Sequence, residues 1–313
     1  QVEEQVPVPL CWQDLLTLDE SSNLEELRAA LVAAADDPLL VEYLQARLAE
    51  LIGDRQDAAL LVIGWAEKAT APLTGQLLEA LKRAPAAQNK AVADKLLALG
   101  VDEKQSHELR RAAIDALDAQ HSLGAPAIAR LKSVALDEHA DEVAWVATRT
   151  IGRVMVEDYK RGGGFSGYWH ELLDVGQRAS ESAVRQLALE MPSYADIPVE
   201  NESIAKLTKI LKTDPDRQVR ELAAFRLGLS REPDKALQSF GEAFGGESDL
   251  CVRWAIFRFA VRAAGEKALP LLQQLAQVEP RLRLDYEDFR QSYQSGNVDF
   301  VRVWLSKPER HQC

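Results

Sequence analysis

Residues 216–228 read DRQVRELAAFRLG. Val219, Leu222, Ala223 and Leu227 recur at the spacing of one face of an α-helix. Asp216 stands three residues before Val219, where a short carboxylate can accept from the free N–H groups of a first turn. A single amphipathic helix of this length cannot bury its apolar stripe alone. The fold therefore depends on what this helix packs against, and the chain itself supplies the answer.

The same pattern recurs in ELRRAAIDALD from Glu108, EVAWVATRTIG from Glu142, AVRQLALEMPS from Ala183 and CVRWAIFRFAV from Cys251. The anchors are Leu109, Val143, Val184, Val219 and Val252, at intervals of 34, 41, 35 and 33 residues. Arg110, Arg185, Arg220 and Arg253 follow four of the five anchors, and Gly152 and Gly228 lie nine after theirs. Three before the anchor stand Ser106, Glu181, Asp216 and Asp249. Ser and Asp there can cap, while Glu181 better suits the dipole of a first turn. Between these helices lie further amphipathic runs, such as APAIARLKSVAL from Ala125, SIAKLTKILK from Ser203, DKALQSFGEAF from Asp234 and EKALPLLQQLA from Glu266. Short linkers rich in Gly, Pro, Asp and Ser separate them and read as turns. Periods of this length belong to helical solenoids, in which stacked pairs bury a continuous core.

The segments Asp216-x-x-Val219-Arg220-x-x-Ala223 and Ala268-Leu269-Pro270-Leu271-Leu272 resemble the HEAT-repeat family, in particular its shorter bacterial members. The resemblance covers about residues 103–280. It implies an all-α, right-handed solenoid of stacked antiparallel helix pairs. It also implies a ladder between neighbouring repeats, drawn from Arg110, Arg185, Asp216, Arg220, Asp249 and Arg253. Residues 36–102 have the helical period without the Val-Arg signature and read as degenerate repeats. Residues 1–35 are expected to cap the array through Trp12, Leu15, Leu16 and Leu18. Residues 281–313 form the other cap and a tail, with Tyr286, Phe289 and Tyr293 on one stripe and Phe300 and Trp304 on another.

Composition limits the function classes. The 313 residues carry 37 Lys and Arg against 49 Asp and Glu, a net charge of −12, without a basic run. A nucleic-acid partner needs a basic face, so none is expected. No apolar run is long enough to cross a bilayer, so membrane insertion is not expected either. The acidic Gln1-Val2-Glu3-Glu4 start, followed by Pro7 and Pro9, suits the mature end of an exported, periplasmic protein, with the cytoplasm as the alternative. Cys11, Cys251 and Cys313 form no C-x-x-C pair. One bridge and one spare thiol are possible, or Cys251 is a small buried residue and the terminal His311-Gln312-Cys313 frays.

The interval from Val143 to Val184 exceeds its neighbours by about seven residues, and the excess is RGGGFSGYW, residues 161–169. Gly162, Gly164 and Gly167 match G-x-G-x-x-G, but a dinucleotide turn needs a strand before it and a helix after it. Here a repeat helix precedes it, so an insertion on the binding face is the better reading. Lys160, Arg161, Phe165, Tyr168 and Trp169 are the candidate partner-binding residues, with the aromatics either folded back or meeting a partner. His107, His139 and His170 each sit near acids, and His139 with Glu142 could share a helix face and a divalent metal. The pairs His107-Glu108 and His170-Glu171 superficially resemble the His-Glu motifs of the deoxyhypusine hydroxylases, but they are two where that family has four, and they lie in different helix registers. No complete catalytic set, metal site or cofactor is expected. The function expected is a non-enzymatic scaffold that holds another protein or peptide in its groove. The alternative is a HEAT-like enzyme or enzyme subunit, metal-dependent or of the bilin lyase type.

Overall fold

The computed structural model describes residues 19–20, 23–34, 36–162, 168–195, 197, 199–306 and 309–313. Among them the structure is helical, with a lone parallel bridge between Val199 and Ser230 and no extended strand. The fold is an all-α solenoid of helix pairs. The chain divides into two compact units, residues 1–134 with 140–154, and residues 135–139 with 155–313.

The first unit holds α1 (Leu24–Ala33), α2 (Pro38–Ile52), α3 (Gln56–Lys68), α4 (Leu73–Arg83), α5 (Lys90–Val101), α6 (His107–Ala116) and α7 (Ala125–Ala135). The division falls within α8 (Glu142–Lys160). Consecutive helices pair as α3 with α4 and α5 with α6, and the second members α2, α4 and α6 pack in a row. The stretch 36–102 therefore forms pairs without the Val-Arg signature. Its caps are Asp37, which accepts from the N–H groups of Leu39 and Leu40, and Asn89, which accepts from Ala91.

The second unit holds α9 (Tyr168–Arg178), α10 (Ser182–Glu190), α11 (Asn201–Thr213), α12 (Arg217–Leu227), α13 (Pro233–Gly246), α14 (Leu250–Ala264), α15 (Leu269–Val278), α16 (Arg283–Gln294) and α17 (Val298–Ser306). First helices α9, α11, α13 and α15 form one row and second helices α10, α12 and α14 another. Asp216 caps α12 and Asp249 caps α14, each accepting two backbone N–H groups, and Ser106 caps α6 in the same way with one. Glu181 precedes α10 without a side-chain cap bond. At Gly228 a side chain would bring its Cβ to 2.9 Å from the Cβ of Phe259, so glycine lets the end of α12 touch α14.

The expected ladder needs correction. Asp216 and Asp249 are occupied as caps and do not carry it. The carboxylates stand two residues earlier in each turn, as Asp214, Glu247 and, one turn on, Glu279. Arg185 forks onto Asp214 at 2.8 and 3.1 Å. Arg220 meets Glu247 at 2.7 and 3.3 Å, and Arg253 meets Glu279 at 3.0 Å. Each arginine also donates to carbonyls of the turn before its own helix, as Arg220 does to Asp214 and Pro215. Every rung thus ties a helix start to its own turn and to the next turn. Arg110 departs from the pattern: it donates to the Gly100 carbonyl and pairs with no carboxylate among the described residues.

At the far end Phe289 stacks on Trp304 at 5.7 Å, and Trp304 meets Phe257 of α14 edge-on. Both are buried, whereas Tyr293 of the same stripe is exposed. The terminal tripeptide does not fray as expected. Cys313 is joined to Cys251 at the start of α14 by a disulfide. Arg310 reaches Asp288 at 2.6 Å and His311 reaches the fully buried Asp285 at 2.8 Å. The expected N-terminal cap, Trp12, Leu15, Leu16 and Leu18, lies outside the described residues.

Candidate functional site

The insertion begins where α8 ends. Lys160 and Arg161 are exposed, and Gly162 turns the chain at φ 81°, a left-handed value that glycine adopts without strain. Phe165 and the side chain of Tyr168 lie outside the described residues. Trp169 is not a partner-binding residue as placed. It is 1% exposed, its indole N–H donates to Ser203 Oγ at 3.0 Å, and the Arg226 guanidinium lies 5.3 Å from its ring centre. A large ring whose polar edge finds a partner inside is more stable buried than on a rim. Trp169 therefore anchors the start of α9 to α11.

In the first unit the surface of the second helices carries a closed charge network. Asp118 accepts from Thr150 Oγ1 at 2.9 Å and lies 3.4 Å from Arg149, 3.4 Å from Arg153 and 3.8 Å from Lys82. Burial pushes its carboxyl above the usual range, and the Thr150 hydrogen bond opposes the shift. Asp115 binds Lys82 at 2.9 Å and pairs with Arg149. Arg149 in turn lies over Trp145, which remains 38% exposed. The cations here have carboxylates to meet.

The second unit differs. On α14, Arg258 is 8% exposed and forms no hydrogen bond or ion pair among the described residues. Its guanidinium lies 4.2 Å from the ring centre of Trp254 and 4.5 Å from that of Phe259. Across the seam, Phe259 meets Phe225 of α12 edge-on at 5.2 Å, and Arg262 lies over Phe225 at 4.6 Å. Glu221 of α12 acts on Arg258 through space but binds Arg217 at 3.0 Å instead. Burial pushes the Arg258 pKa down to about 10, a shift that Glu221 opposes and Arg262 reinforces, so the group stays charged at neutral pH. Burial also pushes Glu221 up, against the pull of Arg217. Sequence reasoning missed Arg258. The available signal was a single charge inside the apolar run Trp254–Val261.

The histidines are dispersed. His107 lies 3.8 Å from Asp141, His139 lies 3.6 Å from Glu138 and not beside Glu142, and His170 lies 3.5 Å from Glu202. Among the described residues no three His, Cys, Asp or Glu side chains gather as metal ligands. A shallow groove of about 760 Å³ runs between α11 and α13. Its polar groups largely bond one another: Thr208 to Ser239 at 2.8 Å, Lys235 to Asn201 at 2.6 Å, and Lys212 to Glu242 at 3.8 Å.

These features define an all-α helical-repeat protein. Residues 204–285 match the family of HEAT repeats, a stretch that holds the Arg220–Glu247 and Arg253–Glu279 rungs. No curated protein matches the chain. Among solved structures, the chain is similar to an engineered protein from the Northeast Structural Genomics Consortium, at 18% identity. That likeness has a TM-score of 0.36 and covers 77% of this chain and 98% of the other. No helix among the described residues is long and apolar enough to cross a membrane.

Proposed function

We propose that the protein is a non-enzymatic scaffold that binds a protein or peptide segment along the surface of its second helices. The observation that carries this reading is the α12–α14 seam. There a charged, hydrogen-bond-poor guanidinium is framed by aromatic rings, with Leu222 and Phe225 half-buried beside it. Binding surfaces are enriched in such arginines and aromatics, because they bury much area at little entropic cost. The groove between α11 and α13 supports the reading less well, since its polar side chains are already paired. Lys160 and Arg161 remain separate candidates, as positive groups on an acidic chain suited to an acidic partner.

The test places a photoreactive side chain at Leu222 in one variant and at Gln238, on the first helices, in another. Irradiation with the native cell extract should give a defined adduct from position 222 alone. Equal labelling from both positions, or adducts from 238 only, would assign binding elsewhere.

A further inference from the structure

We propose that the α12–α14 seam is a carboxylate receptor, in which Arg258 recognises one carboxylate carried by the bound segment. The peptide context rests on the scaffold reading; the carboxylate chemistry rests on Arg258 itself.

A guanidinium has five N–H donors in a planar fork. In the ladder those donors are used: Arg185 makes four hydrogen bonds to Asp214, Ala179 and Ser180. Arg258 is as deeply buried as Arg185, at 8% against 7% exposure, and makes none. A charge withdrawn from water without a partner is costly, and an entering counter-charge recovers the interaction at low local dielectric. The aromatic frame also fixes the direction of approach. Trp254 and Phe259 lie against the guanidinium at 4.2 and 4.5 Å, and its Nε is sealed from solvent, which leaves the terminal Nη edge as the side of approach. The edge is where a carboxylate forms two parallel N–H···O bonds.

The neighbours select the anion. Glu221 of α12 acts on Arg258 through space and is bound to Arg217 at 3.0 Å. The charge around the guanidinium is therefore tempered. A phosphate dianion would meet Glu221 with a second charge that one free guanidinium cannot balance, whereas a planar monoanion matches the fork.

The test uses the full chain, isotopically labelled at arginine and tryptophan side-chain nitrogens. The probes are N-acetylglutamate amide, for a side-chain carboxylate, N-acetylalanine, for a chain-terminal one, and inorganic phosphate. The expected result is a saturable shift of the Arg258 Nη–H and Trp254 indole signals, in the millimolar range, with one or both carboxylates. The tighter of the two names the source. Arg258→Lys, which cannot fork, should weaken binding roughly tenfold, the equivalent of one lost charge-assisted bond. Arg258→Met keeps the apolar stem and should abolish the Trp254 response while circular dichroism remains unchanged. No saturation with either carboxylate, or tighter binding of phosphate, overturns the assignment. These titrations need no partner protein, so their failure is separate from failure of the cross-linking test.

Discussion

Removing the Cys251–Cys313 disulfide should destabilise the second unit by a calculable amount. The bridge closes a loop across a sequence separation of 62 residues. In the chain-entropy account, restricting the unfolded state over that length contributes about 4 kcal/mol. The contacts it secures are specific. The tail brings Arg310 to 3.3 Å and His311 to 2.8 Å from Asp285, which is otherwise left with the Trp254 N–H at 3.4 Å. Releasing the tail would leave a buried carboxylate with one weak donor, which adds to the loss in Cys313→Ser. Two independent readouts check this. Iodoacetamide on the unreduced, unfolded chain should modify Cys11 alone, and all three cysteines after reduction. Urea unfolding followed by tryptophan fluorescence should show one transition move down by roughly 1 M on reduction, for a denaturant slope of about 3 kcal/mol/M. The expectation applies to that transition alone, since two units need not unfold together. Alkylation of Cys251 or Cys313 without reduction, or an unmoved midpoint, would refute the reasoning.

Two further outcomes follow from side chains already placed. Trp169→Ala should lower the stability of the second unit by about 3–5 kcal/mol, as for other buried aromatics, because it empties a core site and strands Ser203 Oγ; a thermal melt at or near the wild-type midpoint would return Trp169 to the surface. Glu279 is held from its ordinary 4.5 down to about 2, chiefly by the Arg281 side chain and then by the Arg281 N–H and Arg253. A depressed carboxylate contributes stability that is present above 4.5 and lost as pH falls towards 2, so Glu279→Gln should flatten the acid limb of a stability–pH curve in that window. An unchanged limb would show that the rung does not form.

The architecture was legible because its signals are local. Val219, Ala223 and Leu227 face the core at the period the sequence shows, and Asp216 and Asp249 cap as their position dictates. The ladder was legible on its arginine side only. An Arg at the fourth position of a helix has a fixed direction, but a turn such as Asp214-Pro215-Asp216 offers two carboxylates, and backbone geometry decides which one caps. Asp216 accepts from the N–H groups of Gln218 and Val219, which leaves Asp214 to turn towards Arg185. Trp169 was misjudged for a related reason. Composition marks the insertion as glycine-rich, yet the helix begins at Tyr168, one residue before the tryptophan, and its first turn already faces α11. The C-terminal tail carries no periodic signal; it is tied down by long-range contacts, the Cys313 bridge to a residue 62 positions away and the pairs of Arg310 and His311 with Asp285 and Asp288.

Arg253 and Arg258 show why the candidate site was invisible to repeat analysis. They lie on one helix little more than a turn apart, and both are arginines in an apolar context. Arg253 repeats Arg220 and Arg185 in register, and its partners Glu247 and Glu279 come from turns of the same kind. Six after the other anchors stand Asp115, Arg149, Glu190 and Phe225. Arg149 lies over Trp145 as Arg258 lies over Trp254, but Arg149 meets Asp115 and Asp118 where Arg258 meets no carboxylate among the described residues. A repeat signature describes what neighbouring units must share in order to stack. A binding group is, on the contrary, a departure from the shared pattern at one unit. In the second unit the departure is a guanidinium that meets no carboxylate among the described residues: its Nε is buried without a partner, and its terminal N–H groups are left for water or a ligand to engage.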